Sequence, residues 1–275
     1  MSGDLVDRLA GLPVEDALRL GMMTLVLSIA RMAALMYVFP LFTRTGIQSG
    51  MLRGGLAFGL SIPVMPIVAA EMIDAGPPGL YALIALIGKE ALLGIVIGVV
   101  AGIPFWAASA AGNLIDFQSG ASAASMVDPN AGEETTPMGV FLFYLFAAVY
   151  LGAGMFNDGV LAPLYQSFTV WPAAAPWPAL ELARTEQILG LLGGILRGAL
   201  ILALPIVLVL LILELGLAIA TRFVPQINVF FLAMSLKTLA TILMLPLFYA
   251  ILVGYLRDGA AAAQLTFDTM RGFFP

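Results

Sequence analysis

Long apolar runs separated by short polar stretches dominate this chain. The runs lie at residues 18–42, 51–72, 80–103, 138–156, 188–220 and 233–256. Each comes close to or exceeds the roughly 20 residues that a helix needs to cross the hydrocarbon core of a bilayer. Prolines such as Pro104, Pro205 and Pro246 interrupt several runs, and a broken helix at membrane depth requires neighbouring protein to satisfy its backbone. The pattern predicts an all-α, polytopic membrane protein built from kinked or broken helical hairpins.

A proline-rich and then polar stretch, WPAAAPWPALELARTEQ at residues 171–187, divides this pattern. We interpret it as a connector between an N-terminal part, 1–170, with about four spans, and a C-terminal hairpin, 188–275. Within the first part, residues 113–139 are small and polar, and Asp128 before Pro129 is typical of a turn. This stretch is either a solvent loop or an inner element that faces a channel or a partner subunit.

The tract TRFVPQINVFFLAMSLK, residues 221–237, separates two runs that are each apolar enough for a bilayer. Proline lacks an N–H and disfavours helix at the residue before it, so a local break is predicted. Amide side chains can satisfy the freed backbone groups. The alternation of polar and aromatic residues indicates a hairpin tip buried against protein, although an ordinary turn with a basic anchor also fits. The residues in question are Arg222, Pro225, Gln226, Asn228, Phe230, Phe231 and Lys237.

Composition narrows the function classes. The chain is 61% hydrophobic and 11% charged, whereas soluble domains are roughly 25% charged. It contains no cysteine and no histidine, which excludes disulfides, thiolate or histidine metal sites and Ser-His-Asp triads. The net charge of −5 is scattered, and no basic run suits nucleic acid. We predict no metal, no cofactor and no nucleic-acid partner.

Charged residues inside the apolar runs are candidate functional residues, because a charge near the bilayer centre pairs with another group or lines a wet cavity. Lys89 and Glu90 interrupt the third run, and Glu214 lies deep in the fifth. Adjacent helical residues do not face each other, so Lys89 and Glu90 need not pair. They line a polar or ion-coupled site, or they lie at an interface with water. We predict that Glu214 bonds a neighbouring subunit or a polar loop.

Enzymatic chemistry finds little support. Asp116 and Asp158 could form an aspartyl protease dyad, but the contexts NLIDFQSG and GMFNDGV do not suit that class. Ser235 and Lys237 are two residues apart, so on a helix their side chains diverge. We predict that the chain is not an enzyme.

Several segments, taken in order, resemble one family. They are MYVFPLF, RGGLAFGLSIPVMP, KEALLGIVIGVVAGIPFWAASAAGNLIDFQSG, DPNAGEETTPMGVFLFYLFAAVYLGAG and RFVPQINVFFLAMSLK. Together they resemble the T subunit of the type III secretion export apparatus (SctT), which is homologous to flagellar FliR. The segment LYQSFTVWP is similar to the injectisome branch, whereas Ser235 stands where many relatives carry proline.

The resemblance implies a core subunit of an export gate in the bacterial inner membrane. One copy would assemble with R and S subunits into a channel for unfolded secretion substrates, and the switch-protein U subunit would contact it. Residues 1–170 would resemble an R subunit, and 188–275 the S-subunit hairpin, whose tip would close the channel and dock partners. Inter-subunit or channel-lining candidates are Lys89, Glu90, Asp116, Gln118, Asp128, Pro129 and Glu214.

Two alternatives stay open at this point. One is the flagellar counterpart, FliR. The other is a stand-alone small-molecule secondary transporter, which the intramembrane Lys89, Glu90 and Glu214 would serve. The absence of a clear internal repeat argues against the transporter.

Overall fold

The computed structural model describes residues 11, 13–46, 49–120, 126–127, 134–176, 185–223 and 229–271. At 126–127, 134–135, 185–192, 229–231 and 256–271 it describes the backbone alone.

Helices account for nearly all of the described chain, which confirms the predicted all-α class. The helices are α1 Val14–Val38, α2 Pro40–Arg44, α3 Gly50–Ser61, α4 Met65–Ala75, α5 Leu80–Ser119, α6 Pro137–Gly152, a π-helical turn at Asn157–Leu161, α7 Ala162–Val170, α8 Thr185–Phe223 and α9 Val229–Arg271. The strands β1, Met126–Val127, and β2, Glu134–Thr135, form one short antiparallel pair.

The helices agree with the six predicted apolar runs. Four are long and apolar enough to cross a membrane, and two bent helix pairs raise the number to six if each pair is one span. The pair α3–α4 bends by 70° at its break. Pro63 follows the end of α3 by two residues, and Pro66 lies in the first turn of α4. Proline cannot donate to the preceding helical turn, which explains why the chain restarts at these points.

The third predicted run was too short. It ended at residue 103, before Pro104, but α5 continues through this proline to Ser119. The continuation is held by small side chains that are completely buried, among them Ala107, Ala108 and Ala111. Packing of this kind offsets the single backbone hydrogen bond that an interior proline removes.

The described residues divide into two compact units. Unit one comprises those within Met1–Gly102, Phe156–Ala183 and Ala263–Pro275, and unit two those within Ile103–Met155 and Arg184–Ala262. Helix α5 therefore contributes its first part to unit one and its second part to unit two.

In unit one, α1 packs against α3 and α4. Its buried face carries Leu27, Met32, Leu35 and Met36. The first part of α5 also approaches α1 closely, because Gly94 has no side chain. A Cβ atom at position 94 would overlap the backbone carbonyl of Arg31 and the side chain of Ala34.

In unit two, aromatic rings fill the space between the second part of α5 and α6. Phe105 lies edge-on to Phe146 and Tyr150, with ring centroids 4.9 and 5.1 Å apart. Such geometry stabilises aromatic pairs beyond the area they bury. Further along the same helix pair, a Cβ at Gly112 would overlap the backbone of Met138 and its neighbour.

Helices α8 and α9 form the C-terminal hairpin of unit two. Gly198 lies against Tyr255, and Glu214 pairs with Lys237. From the first pair to the second the residue number rises along α8 and falls along α9, so the two helices are antiparallel. In the most apolar windows of these helices 22% of residues are buried, compared with 44% in α1 and α5. The hairpin thus leaves more of its apolar surface uncovered.

Candidate functional site

The predicted hairpin tip lies between α8, which ends at Phe223, and α9, which begins at Val229. Pro225, Gln226 and Asn228 lie outside the described residues. Phe230 and Phe231 belong to the first turn of α9, where the backbone alone is described. Arg222, in the last turn of α8, is exposed. The gating and docking roles of these residues stay predictions.

Lys237 connects three helices of unit two. Its Nζ donates to the backbone carbonyl of Gln118 and to Oε2 of Glu214, each at 3.0 Å. Nε2 of Gln118 donates to the same Glu214 oxygen, also at 3.0 Å. Because α5 ends at Ser119, the carbonyl of Gln118 belongs to the last turn, where carbonyls lack helical partners and a cation is favourable. Within the chain, Glu214 thus has a lysine and an amide as partners, and its contact with another subunit stays a prediction.

Asp116 caps the start of α6. Its carboxylate accepts a hydrogen bond from the backbone N–H of Met138 at 2.7 Å. Thr136, the N-cap residue, accepts from the N–H of Gly139 at 3.2 Å and donates to Oδ1 of Asn113 at 2.9 Å. The capping satisfies donors that a helix start leaves without partners. Buried Asp116 therefore has a structural function in the described chain.

The other carboxylates and the turn proline predicted as site residues do not take part in this cap. Asp128 and Pro129 lie outside the described residues. Asp158, the second carboxylate considered for a protease dyad, belongs to unit one and is exposed beside Asn157, whose amide donates to it at 3.0 Å.

A network of buried charges occupies unit one. Glu90 Oε2 accepts from Nε of Arg31 at 2.8 Å, and its Oε1 accepts from Nη2 at 3.0 Å. Lys89 Nζ lies 3.1 Å from the same Oε1, so the two neighbours do pair, although their spacing did not require it. The Arg31 and Glu90 side chains are 0% exposed and that of Lys89 is 1% exposed. The guanidinium carbon also lies 3.8 Å from the ring centre of Phe168.

Lys89 binds the backbone of the segment 171–176, which follows α7. Its Nζ donates to the carbonyls of Pro172, Ala173 and Ala175 at 2.7, 3.1 and 2.9 Å. A lysine that binds several carbonyls fixes the path of this segment, which lies outside the helices and strands.

The same segment is bound by two further charged side chains. Arg31 donates through Nη2 to the carbonyl of Trp171 at 2.9 Å and through Nη1 to Oγ of Ser167 at 2.7 Å. Glu71 accepts from the N–H of Ala174 at 3.2 Å. We call the four side chains Arg31, Glu71, Lys89 and Glu90 the segment clamp. It contains two cations and two anions, so its formal charges balance.

The predicted inter-subunit or channel-lining role of Lys89 and Glu90 stays a prediction, and their burial shows that within the single chain they bind other parts of unit one. Arg31 and Glu71 were not among the residues predicted from the sequence. Each is a charge inside a predicted apolar run, which is the signal that identified Lys89. Their partners could not be found in this way, because Arg31 is 59 residues from Glu90 and 136 from Ser167.

The chain is similar to known proteins along most of its length. Residues 22–262 match the model of the family described as bacterial export proteins, family 1. The chain belongs to this family. It is 33% identical over 238 residues to Yop proteins translocation protein T of Yersinia pestis, covering 86% of this chain and 89% of that protein. It is also 33% identical over 227 residues to the surface presentation of antigens protein SpaR of Salmonella typhimurium, covering 82% of each chain.

A flagellar relative is similar over the same region. The flagellar biosynthetic protein FliR of Bacillus subtilis is 29% identical over 253 residues, covering 88% of this chain and 90% of that protein. These matches confirm the resemblance to the export-apparatus T subunit and FliR. Together with the long apolar helices, they establish this member of the export family as a membrane protein.

Proposed function

We propose that the chain is the T subunit of a type III secretion export gate and forms, with R and S subunits, the channel through which unfolded proteins cross the bacterial inner membrane. The observation that carries the proposal is the match to translocation protein T and SpaR over more than four-fifths of each chain. Because this match runs through both units, it supports the function of a whole subunit.

The architecture suits a subunit of a larger assembly. The hairpin α8–α9 leaves most of its apolar windows uncovered, and further helices or lipid must cover such a surface. The proposal divides the chain into an R-like part, 1–170, the connector 171–187, and an S-like hairpin, 188–275. In this division the segment clamp holds the backbone at the start of the connector against helices of the R-like part.

In this proposal the hairpin tip from Arg222 to Lys237 closes the channel and docks the switch-protein U subunit. The chain supplies shape, a seal and inter-subunit contacts rather than catalysis. The injectisome branch is favoured over the flagellar branch, because the segment LYQSFTVWP is similar to the injectisome branch.

A gene deletion with plasmid complementation tests the function. Loss of type III substrate secretion with intact motility supports the injectisome branch, loss of motility alone supports the flagellar branch, and no effect on either process contradicts the proposal. Gln226→Leu and Asn228→Leu then test the tip. Each should reduce secretion while the protein still inserts into the membrane, whereas Thr238→Val, at an exposed helical position outside the tip, should secrete normally. Normal secretion by all three would remove the tip from the mechanism.

A further inference from the structure

An open cleft lies beside the Lys237 network in unit two. It has a volume of about 400 Å³ and lies between the end of α5 and the two hairpin helices. Most of its lining residues are apolar, and the charged groups in its walls, Glu214 and Lys237, belong to the network. The side chains that define it are those of Phe117, Glu214, Leu217, Ala218, Met234 and Lys237.

The Glu214 carboxylate has one oxygen that the network does not use. Both Lys237 and Gln118 bind Oε2, and Oε1 has no hydrogen-bond partner among the described residues. The Glu214 side chain is 54% exposed, whereas Lys237 is buried. The cleft thus contains a free hydrogen-bond acceptor, Oε1 of Glu214, on a carboxylate whose negative charge Lys237 already balances.

The surroundings of this acceptor are apolar. Leu211, Leu217 and Ala218 lie three or four residues from Glu214 along the same helix and so share its face, and Leu211 and Ala218 are exposed. Whatever covers this surface removes the Glu214 oxygen from water as well. An acceptor that is buried without a donor is destabilising, and a lipid tail has no donor to give. A neutral donor completes the site best, since a second cation would leave a net positive charge in apolar surroundings.

We infer that the cleft is a docking site for an apolar helix of a partner membrane protein, anchored by a hydroxyl or amide side chain that donates to Oε1 of Glu214. The inference rests on the proposed function, which supplies partner subunits, and it names the part of this chain that receives one of them. Met234 gives the cleft an adaptable wall, because methionine packs against surfaces of varied shape.

A photo-cross-linking amino acid at Met234 tests the inference in cells that carry the complete secretion system. Two tryptophan variants form a matched pair on α8. Ala218→Trp fills the cleft, whereas Ile219→Trp changes the next residue, which is exposed but does not line the cleft. The double variant Glu214→Leu/Lys237→Met removes the anchor without leaving a buried cation unpaired.

We expect position 234 to cross-link to a membrane protein. Ala218→Trp and the double variant should each lower the yield about tenfold, the order expected for the loss of one hydrogen bond to a charged group or of the space for the partner. Ile219→Trp should retain the yield. Cross-linking to phospholipid alone, or equal yields from the two tryptophan variants, would overturn the inference.

Secretion and co-purification measured on the same strains separate this inference from the proposed function. If the unmodified chain co-purifies with export proteins and supports secretion, but position 234 reaches no protein, the docking site alone is wrong. If the chain neither supports secretion nor recovers export proteins, the proposed function fails and the docking site falls with it.

Discussion

We expect the loss of one charge of the segment clamp, by Glu90→Gln, to destabilise the protein. Glu90→Gln retains the shape of the side chain and removes its charge. In the folded chain Glu90 receives Nε and Nη2 of Arg31 and lies beside Nζ of Lys89, at 2.8, 3.0 and 3.1 Å. A glutamine has only one acceptor oxygen, so its amide N–H₂ would face at least one of these donors. Two cations would then remain inside unit one with Glu71 as the only described carboxylate of the clamp.

The magnitude follows from burial. Both partners of the pair are 0% exposed, so water does not screen the charge that is left. Removing one partner of a buried ion pair destabilises a protein by about 3–5 kcal/mol. Replacing both partners with apolar residues is much less harmful. The double variant Arg31→Met/Glu90→Leu should therefore lose less stability than the sum of its single variants, and the difference is their coupling energy.

The measurement is the free energy of unfolding of the purified protein in mixed micelles, followed by SDS titration. Glu90→Gln should lower it by about 3–5 kcal/mol. Asp158→Asn makes a similar change at an exposed carboxylate and should alter it by less than about 0.5 kcal/mol. A loss below about 1 kcal/mol for Glu90→Gln, or a double variant as unstable as the sum of the singles, would refute the reasoning.

Three further predictions concern single contacts; the same titration measures the stability of each variant, and the secretion assay is added for Asp116→Asn. Gly112→Ala should destabilise the protein by about 1–3 kcal/mol, because the new Cβ meets backbone atoms of α6. The control Gly54→Ala, at an open helical position, should be neutral or stabilising by up to about 1 kcal/mol. Equal losses of stability in the two variants would contradict the close approach of α5 and α6. Asp116→Ala should lower the free energy of unfolding by about 0.5–2 kcal/mol, because the helix cap is lost. Asp116→Asn retains an acceptor and should preserve both stability and secretion. Total loss of secretion in Asp116→Asn would indicate carboxylate chemistry. Arg31→Lys should lose about 1.5–3 kcal/mol, since an ammonium cannot reproduce the forked contacts of Arg31 to three partners, and unchanged stability would show that charge alone suffices.

The sequence predicted the helical architecture well, because the signals for it are local. Apolar runs of spanning length identified the helices, and prolines such as Pro63 and Pro66 accounted for the break in the second run. The predicted end of α5, before Pro104, was wrong for a physical reason. A proline usually ends a helix, but burial of Ala107 and Ala108 beyond Pro104 stabilises its continuation.

For the charged contacts, the sequence indicated one residue of each contact but not its partner. Lys89 and Glu214 attracted attention as charges in apolar runs, but their partners lie far away along the chain or in the backbone. Asp116 was a candidate through the resemblance to the export-apparatus T subunit, whereas its capping of α6 depends on a contact 22 residues away. Pairing over such distances is a property of packing, and no local pattern encodes it.

Native mass spectrometry of the tagged chain, expressed with and without the R- and S-subunit genes of its own genome, tests the central claim most directly. The account predicts one copy of this chain in a large hetero-oligomer with several copies of each of the two partners. A stable monomer or homo-oligomer, unchanged by the presence of those partners, would contradict it.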